Sequence, residues 1–184
     1  MLLDDDAARL SAARKLDRAA LVAIFDAYAP VIYKYVLRLC GDCAEADDIV
    51  GEVFAQLLKQ LKEGKGPRDN LRSYLYQIAY HKVVDQARDE KHLAELDDGL
   101  SSGGVDSLHL QNEQQEQMEA IQAIILERLS EDQRHVISLR FIENFSIKET
   151  AEIVGKNVSN VKVIQNRALG KLRRLMDRQT EEAG

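Results

Sequence analysis

Tryptophan is absent from this 184-residue chain, aromatic residues make up only 5%, and there are two prolines and two cysteines. Few aromatic residues and an abundance of Ala, Leu, Gln, Glu and Lys argue against sheet and for helix. Two prolines leave long segments uninterrupted. Two cysteines exclude a disulfide framework, and Cys40 and Cys43 form a lone C-x-x-C. Zinc asks for about four ligands, yet no second pair of Cys or His follows at a metal-like spacing, and the four histidines, His81, His92, His109 and His135, are dispersed. A redox C-x-x-C wants a βαβ setting that is missing here, so the two cysteines read as small side chains near a helix end. No cofactor or metal is expected. No nucleophile–base pairing and no phosphate-cradling glycine loop appears, so no catalytic residue is assigned and the chain is not read as an enzyme. No run approaches about 18 continuous apolar residues, and "MLLDDDAARL" turns acidic by its fourth residue, unlike a secretory leader. The expectation is a soluble, cytoplasmic protein without membrane insertion.

Positive charge is also scarce, but unevenly so. The net charge is −6. Residues 1–60 hold 7 basic and 10 acidic groups, residues 61–92 hold 7 and 5, residues 93–128 hold 1 and 8, and residues 129–184 hold 10 and 8. "VGKNVSNVKVIQNRALGKLRR", residues 154–174, has six Lys and Arg and no acid at all. An acidic total therefore does not exclude a polyanionic partner for one segment.

Apolar periodicity organises the rest. Leu21, Ile24, Phe25, Tyr28, Ile32, Tyr35, Val36 and Leu39 recur at three-and-four spacing and predict a helix over 19–40, with Pro30 marking a kink or break. A second helix over about 44–61 faces inward with Ile49, Val53, Phe54, Leu57, Leu58 and Leu61, its acidic first turns suiting the helix dipole. "KEGKGPRDN" is a loop, and a third helix runs to about residue 91 with Leu71, Leu75, Ile78, Ala79, Val83 and Val84 as its core side. "DDGLSSGGVDS" has linker composition. The predicted architecture is all-α, with two small helical domains joined by a flexible linker: an acidic extension over 1–18, a helical domain over 19–92, an acidic linker over 93–112 and a helix-turn-helix domain over 113–184. The extension and the linker read as solvated, flexible segments.

The C-terminal unit has the sharpest pattern. Ser130 with Gln133 and Ser146 with Glu149 spell two capping boxes, and Ser159 is positioned to cap the last helix. A helix-turn-helix needs a small residue where its two helices cross, a turn residue tolerant of positive φ, and apolar residues facing back. With Ile147 as the first position, Ala151 is fifth, Gly155 ninth, Val161 fifteenth and Ile164 eighteenth, which meets all of these demands. That leaves Ser159, Asn160, Lys162, Val163, Asn166, Arg167 and Lys171 outward, with amides and Arg suited to base edges and Lys to phosphate. A merely solvated basic face would account for the C-terminal Arg cluster, but not for the spacing.

Two longer motifs carry a family resemblance. "AEADDIVGEVFAQLLKQL", followed after a loop by "NLRSYLYQIAYHKVVDQAR", resembles region 2 of the extracytoplasmic-function sigma factors of bacterial RNA polymerase. "LERLSEDQRHVISLRFIENFSIKETAEIVGKNVSNVKVIQNRALGKLRRL" resembles their region 4, and the order and separation match. The resemblance implies docking of Asp47, Asp48, Glu52 and Gln56 on the β′ clamp helices of core RNA polymerase, with region 4 near the β flap. It implies that the loop 62–70 and the helix after it take the minus-ten element as single strand and capture a flipped base, through Lys65, Arg68, Arg72, Tyr80, His81, Lys82 and Arg88. Region 4 would read the minus-thirty-five duplex through the seven outward residues. An anti-sigma factor is a further partner that the resemblance admits. Tyr74 stands where the family usually has a buried Trp and reads as packing, whereas Tyr80 and His81 read as exposed.

The chain departs from the family pattern in one place. Tyr80 and His81 replace a common Arg-Asn, and Asp89 and Glu90 interrupt what is usually an Arg-rich run, while Asp85 and Arg88 are in place. Fewer cations there predict a shallower salt dependence of promoter-complex formation than in Arg-rich relatives. The rival reading is a helix-turn-helix repressor or activator with a helical sensor domain, which would dimerise and bind duplex DNA without polymerase.

Overall fold

The computed structural model describes the backbone of residues 3–96 and 127–182, and side chains over 6–89, 91–92 and 127–175. Among these residues there are helices and no strand. The chain divides into two compact units, Met1–Ser107 and Leu108–Gly184. The linker-like stretch "DDGLSSGGVDS" lies outside the described residues, as does His109.

Among the described residues the first unit has four helices: α1 (Leu3–Ala13), α2 (Arg18–Cys40), α3 (Cys43–Lys62) and α4 (Leu71–Leu96). Helix α2 starts where the Asp17 carboxylate accepts from the Ala20 amide at 2.8 Å, and ends at Gly41, whose φ of 81° turns the chain. Pro30 lies inside α2 on its exposed side and does not break it. The Asp42 carboxylate then caps α3 by accepting from the Glu45 amide at 2.8 Å. Ile24, Ile32, Tyr35 and Val36 of α2 meet Ala46, Val53 and Leu57 of α3 and Leu71, Leu75, Tyr76 and Ala79 of α4 in the buried core. Each such large apolar side chain contributes roughly 1.5–3 kcal/mol on leaving water. Cys40 and Cys43 are partly buried free thiols at the α2–α3 turn. Burial pushes the Cys40 thiol up to about 12, so it stays protonated and unreactive at neutral pH.

One expectation needs amending. Residues 1–18 were expected to be solvated and flexible, yet α1 packs on α2 and α4, with Leu10 and Ala13 buried and the Tyr28 hydroxyl donating to the buried Asp6 carboxylate. Three acidic residues masked a short amphipathic helix. Helix α2 is long and apolar enough to cross a membrane by length and composition, but charges interrupt it. Here its inward stripe is covered by α3 and α4, while Asp26 and Lys34 lie on its exposed side.

The second unit holds α5 (Glu131–Ile137), a π turn (Ser138–Ile142), α6 (Ile147–Ile153) and α7 (Val158–Glu182). Leu129, Ile137 and Ala168 form its core cluster, with Ile142 and Leu172 packed against it. His135 is 1% exposed in this unit. Burial, reinforced by the nearby Arg134 and Lys156 charges, pulls its imidazole down to about 3, so it sits in the core neutral.

Candidate nucleic-acid interface

In the second unit, the crossing of α6 and α7 sets which side of α7 faces out. Ser146 opens α6 with a reciprocal box: the Glu149 amide donates to the Ser146 hydroxyl at 3.2 Å, and the Ser146 amide donates to the Glu149 carboxylate at 2.8 Å. The helix closes on Gly155 at φ 62°, where the Gly155 amide donates to the Glu152 carbonyl at 3.3 Å and the Lys156 amide to the Ala151 carbonyl at 3.0 Å. That pair of bonds is a Schellman ending, which an αL glycine permits without strain. Ala151, Val161 and Ala168 are buried and Ile164 is half-buried. Arg140 ties the π turn to α7, donating to Gln165 Oε1 at 3.1 Å and to the Phe145 carbonyl. Lys156 pairs with Asp132 at 3.2 Å, joining the turn to α5.

With the inward side fixed in this way, Ser159, Asn160, Lys162, Val163, Asn166, Arg167 and Lys171 all lie on the exposed side of α7. Val163 is 47% exposed, a large apolar side chain among polar neighbours. One expectation is corrected: the cap of α7 is Asn157, whose side-chain oxygen accepts from the Asn160 amide at 2.8 Å, and Ser159 lies one residue inside the helix. Asn157 and Ser159 are both good caps; the three-residue turn after Val154 decides for the earlier one.

In the first unit the candidate residues are more entangled. Helix α3 ends with the same device as α6: Gly64 has φ 71°, its amide donates to the Leu61 carbonyl at 3.0 Å, and the Lys65 amide to the Gln60 carbonyl at 2.8 Å. The loop 63–70 then runs to Asn70, whose side chain accepts from the Ser73 amide at 3.3 Å. Lys65 and Arg68 are exposed in this loop, with Lys65 paired to Glu63 at 3.1 Å. On α4, the Arg72 guanidinium lies 5.5 Å above the Tyr76 ring, and Arg88 pairs with Asp85 at 3.6 Å. His81 is exposed, but Tyr80 is only 7% exposed, which corrects the expectation of an open ring. The α4 face that buries Tyr76 and Val83 takes Tyr80 with it, because three- and four-residue steps stay on one side of a helix. Tyr74 is half-buried, and burial raises its hydroxyl above the usual range.

Asp48, Glu52 and Gln56 follow one another at four-residue steps along α3 and so form a row, while Asp47 stands about 100° round the helix from Asp48. Asp47, Asp48 and Glu52 are exposed and Gln56 is half-buried. Lys82 of α4 reaches across to Glu52 at 2.7 Å. The family resemblance assigns these two residues to different partners, and no local pattern announces a contact between them. Among the described residues, no group of three or more His, Cys, Asp or Glu could hold a metal ion.

Comparison with known proteins matches two family models in chain order: Sigma-70 region 2 over residues 24–93 and Sigma-70, region 4 over residues 125–174. The ECF RNA polymerase sigma factor BldN of Streptomyces coelicolor is 26% identical over 94% of this chain and 68% of its own. SigX of Bacillus subtilis, also an ECF RNA polymerase sigma factor, is 29% identical over 86% of this chain and 84% of its own. The fold is similar to that of the sigma factor RpoE in complex with the anti-sigma factor NepR from Bartonella quintana. There the TM-score is 0.73 at 21% identity, covering 84% of this chain and 95% of that one. CnrH in complex with the cytosolic domain of CnrY gives 0.69 at 19% identity, covering 94% and 97%. With both regions matched in order and ECF relatives aligned over most of its length, the chain belongs to the extracytoplasmic-function sigma factors of bacterial RNA polymerase, which direct promoter recognition in transcription initiation.

Proposed function

We propose that the two units divide the promoter between them. Residues 113–184 form the region-4 domain, in which α7 enters the major groove of the minus-thirty-five element. Asn160, Asn166 and Arg167 reach base edges there, Lys162 and Lys171 take phosphates, and Ser159 and Val163 complete the contact. Residues 19–92 form the region-2 domain, in which Lys65, Arg68, Arg72, His81, Lys82 and Arg88 line the path of the melted minus-ten strand. Asp47, Asp48, Glu52 and Gln56 dock on the β′ clamp helices, where ion pairing supplies rate and register more than raw affinity. Residues 93–112 connect the two domains. The observation that carries the reading is the outward side of α7, where all seven residues are exposed while Val161 and Ala168 hold the opposite side in the core.

The protein acts in the cytoplasm, where the polymerase is, and it contributes recognition while the polymerase contributes catalysis. An anti-sigma factor is a further proposed partner, by analogy with the complexes of RpoE with NepR and CnrH with CnrY. Run-off transcription from genomic DNA with purified core polymerase, with and without the chain, tests the whole. New start sites that vanish on Asn160→Ala/Arg167→Ala are expected. Their absence, together with tight duplex binding by the chain alone, would return the repressor reading.

A further inference from the structure

Helix α1 reaches the loop 63–70. Arg14, at the end of that helix, donates through one guanidinium nitrogen to two consecutive carbonyls, Pro67 at 2.8 Å and Gly66 at 3.3 Å. Proline has no amide hydrogen, so the carbonyl is the only backbone polar group that Pro67 has to offer. From its other side the loop lies directly on α3. The Gly66 amide donates to the Gln60 carbonyl at 3.1 Å, and a Cβ on Gly66 would stand 2.5 Å from Leu61 Cδ2, so any larger residue here would push the Leu61 side chain aside. Residues 66–67 are thus held from below by α3 and from outside by α1, with exposed Lys65 and Arg68 immediately on either side.

The end of α1 is itself fixed. The Arg14 amide donates to the Leu10 carbonyl at 2.9 Å, the Leu16 amide to Ala13 at 2.9 Å and the Asp17 amide to Ala12 at 3.2 Å, with Leu16 in the left-handed region at φ 60°. Leu10 and Ala13, one turn and one residue before Arg14, are buried. The Tyr28 hydroxyl to Asp6 bond ties the helix to α2. The guanidinium therefore arises from a packed frame.

We infer that Arg14 is a positioning residue for the minus-ten loop, clasping the Gly66 and Pro67 carbonyls so that Lys65 and Arg68 are held ready for the melted strand. This rests on the reading of the loop as a contact to the minus-ten strand. A loop that captures an unstacked base gains affinity and selectivity by being ordered beforehand, because ordering otherwise subtracts from binding. The clasp is made by a charged donor, the stronger kind of hydrogen bond, and by a planar group for which Lys is an incomplete substitute.

The test uses reconstituted holoenzyme and a fork-junction probe with an unpaired minus-ten strand, taken from a start site mapped by run-off transcription. Cognate and scrambled minus-ten strands are compared for Arg14→Ala, Arg14→Lys and the loop variant Lys65→Ala/Arg68→Ala. Arg14→Ala is expected to lower the cognate-over-scrambled preference by about 5-fold, with Arg14→Lys in between. Affinity for core polymerase, thermal unfolding and the salt slope should stay at the parent values, whereas the loop variant should lose both preference and salt slope. A loop variant that loses preference while Arg14→Ala keeps it overturns the clasp and leaves the minus-ten reading standing. If neither variant loses preference, both fall. A reduced salt slope in Arg14→Ala would make Arg14 a phosphate contact, and a lowered unfolding temperature or polymerase affinity would make it merely structural; either result also overturns the proposal.

Discussion

Helix α7 and the proposed minus-ten-binding segment, the loop 63–70 with α4, each contribute seven candidate DNA-facing residues, but the two sets are differently committed inside the protein. On α7 all seven are exposed. In the first unit Lys82 pairs with Glu52, Arg88 with Asp85 and Lys65 with Glu63, Arg72 lies over Tyr76, and Tyr80 is buried. The difference follows from what surrounds each element. Helix α7 packs on one side only, so fixing Val161 and Ala168 inward leaves the opposite side to solvent. Helix α4 meets α1, α2 and α3, and its cations find internal partners before any nucleic acid arrives. Exposed pairs of this kind are worth only about 0–1 kcal/mol each, so DNA phosphates can displace them, at a small cost.

The sharpest way to separate the two units is acid. His135 is held neutral well below the ordinary histidine range, so the folded second unit binds fewer protons than the unfolded one. Its contribution is fully present above the unfolded pKa of about 6.5 and is lost as the pH falls from there toward 3. Hydrogen exchange on the full chain should show the amides of Val161 and Ala168 losing protection before those of Tyr35 and Val36 as the pH is lowered. Simultaneous loss would remove His135 as the cause. Next comes the exposed side of α7. Asn160→Ala and Arg167→Ala should each weaken holoenzyme binding to minus-thirty-five DNA by about 1–3 kcal/mol with the fold unchanged, read by electrophoretic mobility shift. Full retention in both would displace the contact from this face.

A smaller effect is expected at Gly155. Its position has open space for a methyl group but needs a φ of 62°, so Gly155→Ala should cost about 1–2 kcal/mol of stability in the second unit through backbone strain alone. Thermal unfolding reads this, and an unchanged midpoint would mean that the turn relaxes. The smallest effect is at the shared pair. Glu52→Gln frees Lys82, and should raise the affinity of the full chain for a minus-ten single strand about 2-fold at low salt while lowering its affinity for core polymerase. If strand affinity does not move, Glu52 and Lys82 act independently and the pairing does not distinguish α4 from α7.

What was legible in the sequence was local. Helix positions, the Ser146–Glu149 box and the Ala151, Gly155, Val161, Ile164 spacing all depend on residues within about five turns of one another, and periodicity reports such relations directly. The contacts that sequence did not foretell join distant segments. Arg14 meets carbonyls 52 and 53 residues away, Arg140 meets Gln165 across 25, and Glu52 meets Lys82 from another helix. Backbone carbonyls carry no residue signature, so the Arg14 contact was invisible in principle. Tyr80 departs from expectation for a different reason: family correspondence points to an exposed ring, while the helical phase of Tyr76 and Val83 puts it inside.

The π turn between α5 and α6 acts as a spacer in phase. Within Ser138–Ile142 the Glu143 amide donates to the Ser138 carbonyl, five residues back, at 2.9 Å, so one residue more is wound into that turn than an α-helix would hold. Each residue advances a helix by about 100°, so rewinding the turn as α-helix would swing Phe145 and the start of α6 by that angle. Phe145 is 1% exposed, and the Arg140 that binds its carbonyl also holds Gln165. The surplus residue thus works like the offset of a cam: it sets the angle at which the chain enters α6, although it lies outside the exposed side of α7.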